Sequence, residues 1–281
     1  MVQIISDSST LYSVAEAKEI GLISCPLNVS INGNVYREFE EMDSATFVKL
    51  VRDGGIPKTS QPSIGEKVEA YQAVDSDTEI IDITMAHGLS GTYHSALCAK
   101  EMCENSANIH VINSTTLCAP QRYIVNEALK MAHDGLDAKT ILNNIDAAVK
   151  NGGSFLIPND FDFLKRGGRL NTVAAMIGGL MKIVPLMLLS EDGTTILKHS
   201  VQKTLKKATD KIIEYLQEKH IDSEYYIAVS HADNLEAASK IKERIEEALN
   251  VQVELFDLSP AFIAQGGPSC VAIQWCHKIN Y

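Results

Sequence analysis

The sequence predicts an α/β protein in two parts: an N-terminal mainly parallel sheet with helices, then a C-terminal α+β unit. Three observations carry this. Short apolar runs alternate with helix-period segments through the first half. Glu191-Asp192-Gly193 breaks that alternation later on with a hairpin signal between two β-like runs. Asn151-Gly152-Gly153-Ser154 punctuates the change between the two regimes. The predicted units are residues 1–152 and 153–281, with a ligand between them.

Residues 2–6 open the chain as a strand. They follow no positive n-region and belong to no long apolar segment, so they do not read as a signal peptide. Asn32-Gly33 inside 27–35 is a hairpin turn. Helical periodicity covers 44–52 and 63–74, the second opened by a capping box, Ser63 with Glu66. A strand at 79–85, a helix at 92–104, a strand at 108–112 and helices at 119–133 and 138–150 complete the first half. Strands at 154–157, 183–189, 225–230 and 251–258 with helices at 203–218 and 235–249 make up the second.

Composition excludes several functions. The 281 residues are 45% hydrophobic and 22% charged, with a net charge of −11. That balance opposes a broad nucleic-acid footprint and adhesion to anionic lipid, both of which need clustered positive charge. The longest apolar runs, such as 183–189, fall far short of a membrane span. The six cysteines, Cys25, Cys98, Cys103, Cys118, Cys270 and Cys276, contain no pair at redox or zinc spacing. They read as buried thiols of a cytoplasmic protein. Cys276-His277 lacks the second close pair that a metal site requires.

The chemistry gathers in loops. His87-Gly88-Leu89-Ser90-Gly91-Thr92 leads from a strand into a helix, and Thr59-Ser60-Gln61-Pro62-Ser63 sits at the mouth of another. Hydroxyls beside free helix N–H groups suit an anion. In parallel sheets ligands bind beyond the carboxyl ends of strands, where the 87–92 loop falls. Neither loop carries the lysine, aspartate or metal ligands of phosphoryl transfer. A rival for Ser90 is the nucleophile elbow of an acyl hydrolase, Gly-x-Ser-x-Gly, but here the second glycine falls one place early. Helix capping by Ser90 and Thr92 is the plainer alternative. Likewise Pro62 and Ser63 are accounted for by turn and cap, which leaves Thr59 and Ser60 as an extra hydroxyl pair held extended before the proline.

Within the segment 161–170 a short helix ends at Gly167-Gly168, as left-handed caps do. Arg169, just beyond it, reads as a solvated surface charge or a functional one. The apolar, small-residue run 173–181 reads as ordinary core or as the wall of an apolar channel.

These segments together resemble the DegV family of bacterial fatty-acid-binding proteins. The resemblance rests on Ser6-Asp7-Ser8-Ser9, Thr59-Ser60-Gln61-Pro62-Ser63, Leu89-Ser90-Gly91-Thr92-Tyr93, Arg166-Gly167-Gly168-Arg169-Leu170 and Gln265-Gly266-Gly267-Pro268-Ser269, in order along nearly the full chain. It implies a two-domain protein that buries one long-chain fatty acid and uses no cofactor or catalytic residue of its own. The carboxylate is held by hydroxyls matching Thr59 or Ser60 and Ser90, with Gly91, Thr92, Gln265 and Gly266 at the same site. It also implies a partner, a fatty acid kinase that phosphorylates the presented carboxyl group and meets the surface at Arg169. The family usually reads His-x-Gly-Pro-Gly near the C-terminus, and Gln265 and Ser269 depart from it. A relative that binds lipid without the kinase therefore stands as an alternative. A sixteen-carbon chain leaving water gains about 10 kcal/mol before entropy costs. The carboxylate costs several kcal/mol to bury unless it is hydrogen-bonded.

Overall fold

A computed structural model describes residues 1–169 and 183–281. The 173–181 run lies outside the described residues. The first half comprises β1 (Val2–Asp7), α1 (Val14–Glu19), β2 (Ile23–Cys25), β3 (Asn28–Ile31), β4 (Asn34–Arg37), α2 (Ser44–Arg52), β5 (Lys58–Ser60), α3 (Ile64–Gln72), β6 (Glu79–Thr84), α4 (Thr92–Glu101), β7 (Ile109–Asn113), α5 (Ala119–His133) and α6 (Ala138–Lys150). The second half comprises β8 (Gly152–Ile157), α7 (Phe161–Gly167), β9 (Val184–Leu189), β10 (Ile196–Gln202), α8 (Leu205–Glu218), β11 (Tyr225–His231), α9 (Leu235–Leu249), β12 (Val253–Asp257), α10 (Pro260–Gly266) and β13 (Val271–His277).

The first sheet has the order β2-β1-β6-β7 and is parallel throughout. Its central strands are apolar on both faces, as strands covered by helices on both sides must be. Ile4, Ile81 and Ile83 pack with Ile124 and Val125 of α5 and Ile141 of α6. On the opposite face Ile5 and Ile80 meet Tyr71 of α3 and Ala99 of α4.

The second sheet runs β10-β9-β8-β13-β11-β12. Its pairs are antiparallel except β11 with β12. Period-two alternation divides its residues between two environments. Phe155, Leu186, Val229, Ile273 and Trp275 form one core with Ile212 of α8 and Ile241 of α9. Leu156 and Met187 point the other way. At the far end of β13, Cys276 packs with α5 and α6 of the first half. The strand at 271–277 goes unmentioned in the sequence reading, yet it occupies the middle of this sheet.

A third, three-stranded antiparallel sheet, β4-β3-β5, carries the hydroxyl pair. Its β3–β4 turn has φ of 53° at Asn32 and 82° at Gly33. Two left-handed central residues are what a tight hairpin following the strand twist demands. Thr59 pairs with Val29 and Ser60 with Asn28.

Two charged groups are buried in this frame. Lys67 Nζ donates to both oxygens of Asp82, at 2.9 and 2.8 Å, and the Tyr71 hydroxyl donates to the same carboxylate. Both charged side chains are fully buried. The second group, Glu38, accepts from the Ser8 hydroxyl through one oxygen and from the Ala261 N–H at 2.9 Å through the other. Ser8 Oγ in turn accepts from the Leu27 N–H at 2.8 Å. One carboxyl group thus joins the end of β1, the entry to β3 and the start of α10. Burial pushes it up to about 7, against the Ser8 and Ala261 hydrogen bonds that pull it down.

Replacing Lys67 by Met strands the Asp82 charge, and removing one partner of a buried pair costs about 3–5 kcal/mol. Urea unfolding should record that loss, and a change under 1 kcal/mol would contradict it. For Glu38, the folded chain holds the proton more tightly than the unfolded chain, whose carboxyl titrates at its ordinary value of 4.5. Its contribution is therefore full below about pH 4.5 and is lost as pH rises through about 7. Between pH 5 and 8 the wild type should lose about 2–3 kcal/mol more than Glu38→Gln in paired urea titrations. Parallel pH profiles would show that Glu38 does not titrate in this range.

Candidate functional site

The loops that follow β6 and β7 leave the carboxyl ends of the parallel sheet and turn toward the second sheet. Between them lies a cavity with about 130 Å³ open to the centres of water molecules. Its wall is mostly apolar, with Leu27, Met85, Leu156, Met187, Leu189 and Phe262 from several different elements. A polar group of residues lies on the same wall: Thr59, Ser60, Gln61, Ser90, Arg169 and Gln265.

Strand β5 presents Thr59, partly buried, and Ser60, which is exposed and marks the rim. Gln265, on α10, donates from Nε2 to Thr59 Oγ1 at 3.0 Å. The threonine oxygen is used as an acceptor, so its own proton is left for a further acceptor. The other amide atom, Gln265 Oε1, is buried with no partner among the described residues. It lies so close to Gly167 that a Cβ there would sit 1.9 Å from it, so a larger residue at 167 would require the Gln265 amide to move. Gly266 also belongs to the wall.

Ser90 lies one residue before the N-cap of α4. Its hydroxyl pairs with Thr92 Oγ1 at 2.8 Å and accepts weakly from the Thr92 N–H at 3.3 Å. Gly91 and Thr92, expected to touch the ligand, are not among the wall residues; Thr92 is fully buried and braces Ser90 from behind. The Gln61 side chain packs against Gly91 and donates to Ser95 Oγ at 3.1 Å. Among the described residues no imidazole hydrogen-bonds Ser90; His87, near in sequence, is engaged by Asn113 Nδ2 at 2.8 Å. The start of α3 differs from that of α4. Ser63 and Glu66 satisfy each other's backbone N–H groups there, at 2.8 and 3.1 Å, so this helix end is closed to an anion. By contrast Gly91 gives α4 no side-chain cap.

Arg169 departs from the surface position expected of it. Gly168 caps α7 in the left-handed conformation, with φ of 70°. The guanidinium is partly buried on the cavity wall, where Nε donates to the Leu89 carbonyl at 3.0 Å and a terminal nitrogen donates to the Gly167 carbonyl. A positive charge therefore stands beside the Ser90 loop.

Five of the six thiols are buried and none forms a disulfide. Cys118 and Cys270 line the cavity, and burial pushes the Cys270 thiol up to about 12. Among the described residues no cluster of histidine, cysteine or carboxylate side chains is placed to hold a metal ion, and no helix is long and apolar enough to cross a membrane. Sequence reading passed over Ser154 and Gln274, both on the wall. The available signal was a lone polar residue inside each of two otherwise apolar strands.

The family model of the DegV proteins, described as uncharacterised, matches residues 1–278. A DegV domain-containing protein of Halalkalibacterium halodurans is 33% identical over 281 residues, covering 98% of each chain. The crystal structure of DegV, a fatty acid binding protein from Bacillus subtilis, is similar with a TM-score of 0.84 at 28% identity over 99% of both chains. A fatty acid binding DegV family protein from Streptococcus agalactiae gives a TM-score of 0.87 at 25% identity over 99% of both chains. The chain belongs to the DegV family.

Proposed function

We propose that this chain binds one long-chain fatty acid in the cavity, between an N-terminal domain of residues 1–152 and a C-terminal domain of residues 153–281. The observation that carries the reading is one cavity with an apolar wall and a patch of hydroxyls beside a guanidinium. The apolar wall takes the hydrocarbon chain, and Thr59, Ser90 and Arg169 take the carboxylate. Hydrogen bonds to a charged group each contribute about 1.5–3 kcal/mol, enough together to offset burying it. Solved relatives from Bacillus subtilis and Streptococcus agalactiae are described as fatty acid binding, which supports the same assignment here.

The same reading makes the chain a substrate-presenting partner of a fatty acid kinase rather than a catalyst. Ser60 is exposed and also belongs to the cavity wall, so the carboxylate end lies near solvent, where a second protein reaches it. A kinase that spends ATP and six unbridged thiols both suit the cytoplasm.

Mass spectrometry of an organic extract of the purified protein should find a fatty acid near one-to-one. Protein that stays empty at saturating palmitate would overturn the reading. The double substitution Thr59→Ala with Ser90→Ala should weaken binding of a fluorescent fatty acid by about 3–6 kcal/mol, at about 1.5–3 per lost bond to the carboxylate, with unfolding unchanged. Unaltered affinity would remove both hydroxyls from the carboxylate site. Arg169→Ala should weaken the same binding, and the loss should shrink as the pH falls far enough to protonate the free acid. Full affinity combined with failed phosphorylation in the presence of the kinase would return Arg169 to a partner-contact role.

A further inference from the structure

Ser154 of β8 and Gln274 of β13 are paired residues in the second sheet, and both lie on the cavity wall. They are 8% and 1% exposed, polar side chains among Leu156, Ala272, Met187 and Cys118. The Gln274 amide is committed. Its Nε2 donates to the Leu117 carbonyl at 3.1 Å, and its Oε1 accepts from Ser230 Oγ at 3.5 Å. Among the described residues the Ser154 hydroxyl has no hydrogen-bond partner, although it is more than nine-tenths buried and faces the cavity. Whatever displaces water from that hydroxyl leaves it unpaired in apolar surroundings unless it brings an oxygen there, and an unpaired buried hydroxyl is costly.

The position is distinct from the carboxylate end. Leu156 packs against Gly266, next to Gln265, and Ser154 lies one side-chain repeat further along β8, roughly 6.6 Å away. A carboxylate at Thr59 and Ser90 therefore brings a segment of the hydrocarbon chain, not the head group, past Ser154.

We propose that Ser154, backed by Gln274, is a second polar subsite that hydrogen-bonds an oxygen carried within the chain, so that in-chain hydroxylated long-chain fatty acids are the preferred ligand class. This rests on the fatty acid reading above. A hydroxyl on the ligand both donates to and accepts from Ser154, whereas a methylene leaves Ser154 unpaired.

The test is calorimetric titration of delipidated protein with stearate, 10-hydroxystearate and 12-hydroxystearate, for the wild type, Ser154→Ala and Ser154→Val. The wild type should bind at least one hydroxylated acid about tenfold more tightly than stearate. Both variants should lose that preference while binding stearate at least as well as the wild type does. Equal wild-type affinity for all three acids, as when a water fills the position, overturns the subsite. So does a preference that survives in Ser154→Ala. If stearate binds without discrimination, the subsite alone falls. If none of the three binds, the fatty acid reading falls and the subsite with it.

Discussion

The cavity depends on the Glu38 carboxyl group. It is fully buried and gathers the Ser8 hydroxyl, through it the Leu27 N–H, and the Ala261 N–H. Leu27 leads into β3, which fixes β5 and therefore Thr59 and Ser60. Ala261 begins the helix that carries Gln265. The contact between Gln265 and Thr59 thus joins two lips that are already aligned by a carboxyl group deeper in the protein. Groups far apart in sequence gain fixed geometry because buried donors and acceptors have few ways to be satisfied.

The site grips by arrangement. Thr59 accepts from Gln265 and Ser90 pairs with Thr92, so each hydroxyl is oriented before a ligand arrives. Arg169 is oriented by the carbonyls of Leu89 and Gly167. Such pre-orientation lowers the ordering cost of binding. Gln265 holds its hydrogen bond to Thr59 at every pH, because an amide does not titrate.

Much of this architecture is legible in the sequence. Helices read from periodicity at 119–133, 138–150 and 235–249 agree with α5, α6 and α9 to the residue. The Asn32-Gly33 turn and the Ser63–Glu66 capping box are local signals, decided by a few neighbouring residues. What eludes such reading is decided at long range. Strand β13 pairs on both sides, and Gln274 and Trp275 in its middle blur any alternation. Arg169 follows two glycines, and only its contacts with the Leu89 and Gly167 carbonyls, neither legible locally, hold its side chain at the cavity rather than in solvent. Ser154 looks like an ordinary strand residue until its hydroxyl is found without a partner. The hydroxyl loops were found because they bear an unusual density of one chemistry; the residues behind them were not, because supporting roles leave no local pattern.

The placement of β13 has a consequence for biosynthesis. This central strand joins β8 to β11, and its partner β8 precedes it by more than a hundred residues of chain. The parallel sheet contains nothing beyond Asn113 and can assemble early on the ribosome. The floor of the cavity cannot assemble until residue 277 has left the exit tunnel. Until then β8 and β11 each offer an unpaired apolar edge, the kind of surface that invites aggregation. A nascent chain stalled before β13 would need a chaperone to cover those edges, whereas the completed chain covers them itself.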